Sequence, residues 1–436
     1  MKTKALIISM MAALCMWSCS NSDDEPAPKQ EVSPVETQQE EKKVEEPTEP
    51  TTRHSYKPID LYGPQKKMNA SLQEFSWKLF KEVFTHRDGD INLMISPISL
   101  EYDLGMFVNG LSGETQQELL KTLGMEGYTM DEINNFFKTM LTGLETADEA
   151  ATFKSANSFW YRQGLKANDN FLSAIQNFYD AQAEAVDFTD PQTVEKINAW
   201  CADKTNNRID KLLDATSELD VFHLLNAVYF KATWLDPFDK AETTEQPFHY
   251  ANGKTDNVDM MHQLSDALYL ENDKYQLAMK PFVDGAFQMV FILPKEGVDA
   301  VDAIPGFLAN AFNIVRDDIA YQFPETHHLD LYAPKFSSEY TEGHLIDYMK
   351  NINPAFNLDN KADFMLFDDK KDYIIDAVQK TFFLMDEVGA EAAAVTDIAG
   401  YDSVPPPATM RLDRPFFYAI VESKTNCPLF IGYYGN

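Results

Sequence analysis

Three consecutive prolines, Pro405-Pro406-Pro407, close a stretch that neither an α-helix nor a central β-strand can occupy. The stretch begins at Glu387 and follows an apolar, β-prone run, Tyr373 to Met385. Two more such runs, Pro415 to Val421 and Pro428 to Tyr434, come after it. About two dozen residues between strands are too many for a tight turn, and connections of that length in a compact domain are usually functional or disordered. Whatever the chain folds into must leave room for this segment near its C-terminus.

The core of the segment, Glu387-Val-Gly-Ala-Glu-Ala-Ala-Ala-Val-Thr396, admits two readings. Alanine is the best helix former, so Ala390 to Val395 could be one short helix. Against that stand Gly389 before the run and the β-branched Val395, Thr396 and Ile398. As a strand it has a period of two. Ala390, Ala392, Ala394, Thr396 and Ile398 share one uncharged face, and Glu391 and Asp397 lie on the other. A segment of that kind could slide into a sheet with its charges toward solvent.

These residues resemble the hinge of the reactive-centre loop of serpins, and Asp413-Arg414-Pro415-Phe416 resembles the segment that closes that loop. The resemblance runs from about Ile59 to the end and implies one α+β domain, the serpin fold, with three β-sheets, eight or nine helices and an exposed loop at about 387–412. It implies a hinge at Glu387, Gly389, Ala390, Ala392, Ala393 and Ala394. Asn226-Ala-Val-Tyr-Phe-Lys-Ala-Thr-Trp234 carries it further: Ser96, Ser99 and Asn226 are expected in the shutter beneath the central sheet, and Trp234 in the breach where the loop enters. Where the family usually has a shutter histidine this chain has Gln379, which can donate a hydrogen bond to Asn226 but cannot titrate near neutral pH. The implied activity is inhibition of a serine or cysteine protease. The target docks on the loop and is trapped as a covalent acyl-enzyme when the cleaved loop inserts. Counting from Glu387 places the scissile bond at Ser403-Val404; aligning the serine that often follows the cut gives Asp402-Ser403.

Composition and local patterns fill in the rest. With 436 residues, 44% of them hydrophobic, the chain can bury a large core. A formal charge of −32 disfavours nucleic acid, anionic lipid and sulfated glycans as partners. Lys2 and Lys4 precede an apolar run, Ala5 to Trp17, too short for a permanent span. Met16-Trp17-Ser18-Cys19 resembles a bacterial lipoprotein box with Cys19 as the lipidated residue. Ser20 to Glu25 resembles the acidic export tag of Bacteroides-like bacteria. The expected organisation is a signal at 1–18, an acidic disordered tether at 19–57 and the serpin domain at 58–436, displayed on the outer membrane as a monomer.

Helix starts are expected at the Ser71/Glu74 capping box and at Asp190-Pro191, and a strand over Phe222 to Phe230. Cys201 and Cys427 could pair, though nothing indicates it. No cofactor is implied, no metal-binding spacing occurs, and His327 and His328 on one strand would point to opposite faces. Two other classes remain alongside inhibition. One is a chaperone or scaffold of the same fold. The other is a glycan-binding surface lipoprotein, which would need exposed tryptophans among Trp77, Trp160, Trp200 and Trp234.

Overall fold

A computed structural model describes residues 56–87, 92–300, 303, 324–358, 363–368, 379–390 and 407–435. Cys19, the signal and tether up to residue 55, Ala392, Ala393, Ala394, Asp402, Ser403 and Val404 lie outside the described residues.

The first helix, α1 (Pro64–His86), starts earlier than the capping box suggests. Pro64, preset for a helical first turn, opens it after Gly63, and Ser71 and Glu74 fall in its interior. Its apolar face is the expected one: Leu72, Phe75, Leu79, Phe80 and Val83 are all buried. Next comes α2 (Pro97–Val108), buried on every side except at Asp103, as befits a helix at the centre of a large domain. The others are α3 (Gly113–Thr122), α4 (Met130–Thr146), α5 (Asp169–Tyr179), α6 (Pro191–Lys204) and α7 (Leu345–Ile352). As expected, α6 begins at Pro191, capped by Asp190, whose side chain accepts from the Gln192 N–H.

Three sheets are present among the described residues. The largest has nine strands. Its backbone order is β1 (Leu93–Ile95), β15 (Pro428–Tyr434), β14 (Phe416–Glu422), β8 (Phe287–Pro294), β7 (Tyr275–Pro281), β6 (Thr255–Glu271), β9 (Glu325–Pro334) and β13 (Ala408–Arg411), with β5 (Thr244–His249) branching from β6. Every residue of β14 and β15 is buried, so the C-terminal hairpin is core, with Phe84 of α1 packed edge-on against Phe417 and Tyr433.

The second sheet orders β12 (Gly389–Ala390), β4 (Phe222–Thr233), β2 (Thr152–Arg162) and β3 (Gln182–Val186). The third is the pair β10 (Phe336–Glu342) and β11 (Gln379–Met385). The strand beginning at Phe222 runs three residues past Phe230, because its far end pairs with β12.

Among the described residues the four tryptophans, Trp77, Trp160, Trp200 and Trp234, are buried, between 1% and 8% exposed, and offer no platform for a sugar. Cys201 and Cys427 are both free thiols, held in separate apolar clusters. His327 and His328 do part company on β9. His328 meets Asp266 at 3.2 Å, and His327 meets the ring edge of Tyr269.

Candidate functional site: the root of the loop between two half-sheets

The strand β11 ends at Met385, and after three intervening residues the chain pairs with β4 on an edge that no other described strand covers. Gly389 lies opposite Thr233 and Ala390 opposite Ala232, antiparallel. Among the described residues no hydrogen-bonded ladder joins β4 to β11. Among the described residues the two half-sheets thus touch through side chains, with the two-residue strand β12 paired to β4 at one end. Below Ala390 is a cavity of ≈ 20 Å³, about enough for one water, lined by Val228 and Phe230 of β4 and by Phe382, Phe383 and Leu384 of β11.

The turn that makes this approach is fixed by its own sequence. The Asp386 carboxylate accepts from the Val388 and Gly389 N–H groups at 2.9 and 3.1 Å, and its own N–H donates to the Gly389 carbonyl. Gly389 has φ +151°, and a Cβ there would sit 2.2 Å from the Ala232 carbonyl oxygen. Only glycine lets the backbone come this close.

Trp234, at the end of β4, organises the surroundings. Its backbone N–H donates to the Val388 carbonyl at 2.8 Å, and its indole N–H to the Asp386 carbonyl at 3.0 Å. The indole stacks on Phe282 with centroids 4.5 Å apart, and the Phe238 N–H holds the Glu387 carbonyl. Glu387, 5% exposed, places one carboxylate oxygen 3.1 Å from Lys335 Nζ and takes the Thr243 hydroxyl on the other. Burial works against its ionisation, yet its own backbone N–H, Lys335 and Thr243 hold its carboxyl below the ordinary value. Glu387 is therefore a charged anchor for the near root of the loop.

At the other end of β11 the arrangement differs from the expectation. The Gln379 side chain accepts from the Ser96 N–H and donates to the Ser96 carbonyl, both at 2.8 Å, instead of reaching Asn226. A side-chain amide carries a donor and an acceptor side by side, as the N–H and carbonyl of one extended residue require, which an imidazole cannot reproduce. Ser96 Oγ donates to the Leu429 carbonyl, and Thr381 Oγ1 to that of Met94. Ser99 is buried one turn on, in α2.

Asn226 belongs to the opposite half-sheet. Its amide donates to Ser155 Oγ and Asn157 Oδ1 on β2, while its own Oδ1 is buried without a partner. The amides of Gln379 and Asn226, both expected in the shutter, thus bond to separate partners and not to each other.

The far root of the loop is β13, four residues running parallel to β9. There Arg411 lies 3.7 Å above the Tyr332 ring and His262 of β6 stacks against the same ring at 4.6 Å, so one residue from each of three neighbouring strands is joined. Sequence reading did not anticipate this stack, nor Lys280, which lies over the Trp234 and Phe238 rings. The one signal for Lys280 is a lysine in the otherwise uncharged strand Tyr275–Pro281, whose first six residues are all buried.

Comparison with known proteins agrees with this architecture. The family model described as Serpin (serine protease inhibitor) matches residues 70–436. A serpin-like protein of Thermococcus kodakarensis is 29% identical over 398 residues, covering 88% of each chain. Antitrypsin of Bombyx mori is 30% identical over 357 residues, covering 79% of this chain and 88% of its own. Among solved structures, the thermophilic serpin tengpin in its native state superposes with TM-score 0.75 at 28% identity, over 88% of this chain and 97% of tengpin. Its latent state gives TM-score 0.69 at 27% identity, over 86% and 98%.

Proposed function

The chain belongs to the serpin family, and from that premise we propose that it is a suicide inhibitor of serine-type proteases, working by insertion of its cleaved loop between β4 and β11. The observation that carries this reading is the pairing of Gly389 and Ala390 with β4 above an otherwise unfilled seam. The first two rungs of a new strand are already in place.

Continuing that register assigns each later residue a partner. Ala392 falls opposite Phe230, Ala394 opposite Val228, Thr396 opposite Asn226 and Ile398 opposite Leu224. All four are small or uncharged, and they share the face on which Ala390 is buried. Thr396 brings a hydroxyl to Asn226, whose Oδ1 lacks a donor. About a dozen new backbone hydrogen bonds, each worth a net ~1 kcal/mol, make insertion strongly downhill once the loop is cut. The intact molecule is held by a barrier.

The protease acylates itself on the loop at Ser403-Val404, or at Asp402-Ser403, and insertion carries it away before the ester is hydrolysed. The first bond suits an elastase-like enzyme with a small specificity pocket, the second one that reads acidic residues. The lipid at Cys19 would tether the inhibitor to the outer membrane, probed by metabolic labelling with a palmitate analogue in wild type and Cys19→Ala.

The test of the central reading is incubation with a panel of serine proteases, followed by denaturing electrophoresis and mass spectrometry of any complex. A covalent product whose C-terminal fragment begins at Val404 or Ser403 is expected. Nicking the loop with a non-target protease should raise the melting temperature by tens of degrees. A nicked molecule that melts where the intact one does would assign the chain to the chaperone or scaffold class instead.

A further inference from the structure

Lys280 is the lysine among the described residues that is more than nine-tenths buried, at 7% exposed. Its Nζ donates to the Asp236 carbonyl at 2.6 Å and to Gln263 Oε1, and it faces the Phe238 ring at 4.5 Å. No carboxylate of the described residues pairs with it within 4 Å. Charges taken out of water are almost always matched by an opposite charge. Here the one carboxylate acting on the ammonium, that of Asp236, stays beyond ion-pair distance.

Beside Lys280 the sheet opens. Pairing between β6 and β7 covers only Leu268–Glu271 against Gln276–Met279. Above Leu268 the two strands diverge around a cleft of ≈ 90 Å³, walled by Leu235, Ala278, Met279, Leu329 and Leu331, with Lys280 in its lining. That volume is several times what a single water needs. Of its lining residues Leu235, Asp236 and Asp266 are exposed to solvent, and Ala267 of β6 borders it beside Asp266.

We propose that this cleft binds a short apolar carboxylate, with its chain between β6 and β7 and its carboxylate on the Lys280 ammonium. The apolar walls select an alkyl chain over a hydrated inorganic anion, and the lysine supplies the counter-charge. Two acidic side chains border the cleft. Asp266 is half of a pair with His328, and Asp236 is exposed to solvent, so neither fills the role from within. Burial pushes the Lys280 ammonium down to about 7, with Asp236 pulling the other way. Carboxylate binding therefore takes up a proton above neutrality and weakens as pH rises. Asp236 also sits between Trp234 and Phe238, whose backbone N–H groups hold the loop root. An occupied cleft would stiffen that root.

The experiment is calorimetric titration of the full chain with sodium butyrate between pH 6.5 and 8.5, with butanol and sulfate as controls. One saturable site is expected, about tenfold or more weaker in Lys280→Met and equally weakened in Ala267→Leu, which fills the cleft and leaves the lysine in place. If Lys280→Met does not fold, Ala267→Leu decides. Butyrate that fails to saturate, or that binds both variants as it binds wild type, overturns the proposal. So does sulfate that competes as well as butyrate. None of these outcomes depends on whether the loop inserts, so the inhibitory reading stands or falls separately.

Discussion

On the proposed insertion mechanism, replacing Ala390 by arginine should convert an inhibitor into a substrate, and the structure sets the scale. Ala390 is 3% exposed and caps a cavity of ≈ 20 Å³ between Phe230 and Phe383. A guanidinium does not fit there. Either the two rungs opposite Thr233 and Ala232 are lost, or a charge is buried without a partner at a cost of several kcal/mol. If only ~3 kcal/mol of that falls on the first step of insertion, the step slows by roughly 100-fold. Complete insertion, worth ~12 kcal/mol in backbone hydrogen bonds, stays downhill. The end state is unchanged while the race against deacylation is lost. The assay is the molar ratio of inhibitor consumed per protease inactivated, with covalent complex read on denaturing gels. Ala390→Arg should show mostly cleaved inhibitor and active protease, and Ala390→Ser should behave as wild type. Covalent complex from Ala390→Arg at wild-type stoichiometry would refute the assignment of this residue to the inserting face.

Three further changes probe the supports. Gln379→Ala strips partners from both the N–H and the carbonyl of buried Ser96 and should cost about 2–4 kcal/mol in the first urea transition. Gln379→His should recover at most half of that, since one ring cannot serve both groups. Glu387→Gln removes the charge opposite Lys335. Because the folded carboxyl lies below its ordinary value, its contribution is present above pH ~4.5 and lost as pH falls through the folded value. The stability gap between variant and wild type, measured by urea melts, should therefore close in acid. Glu101 behaves oppositely: burial pushes its carboxyl up to about 8, against the opposing pull of the Ser76 hydroxyl. Its protonated form is tolerated below pH ~4.5, and stability is lost as pH rises through 8. Glu101→Gln should then gain up to ~4 kcal/mol at pH 8 and nothing near pH 4, as followed by melting curves across that range.

Much of the loop root was legible because its signals are local. Gly389 and the small Ala390 stand together at the turn into β12, and the alternation that begins at Ala390 continues outside the described residues. The helix at Pro191 and the hairpin of β14 and β15 were readable for the same reason. What escaped depends on residues far apart in the chain. Gln379 meets Ser96 across 283 positions, and nothing near either residue says that its amide will choose the Ser96 backbone over Asn226. The start of α1 was misplaced because Ser71 and Glu74 carry a start signal that Pro64, seven residues upstream, makes redundant. Lys280 drew no notice in the sequence, since only the divergence of β6 from β7 gives it a cleft to face.

The burial of β14 and β15 bears on what a cut molecule is. Residues 404–436 would become a separate polypeptide after cleavage, yet their two hairpin strands lie in the middle of a nine-stranded sheet. With Cys427 a free thiol, no disulfide fastens them to the remainder. The product should therefore behave as a two-chain protein that gel filtration cannot divide, and its smaller piece should come away only in strong denaturant.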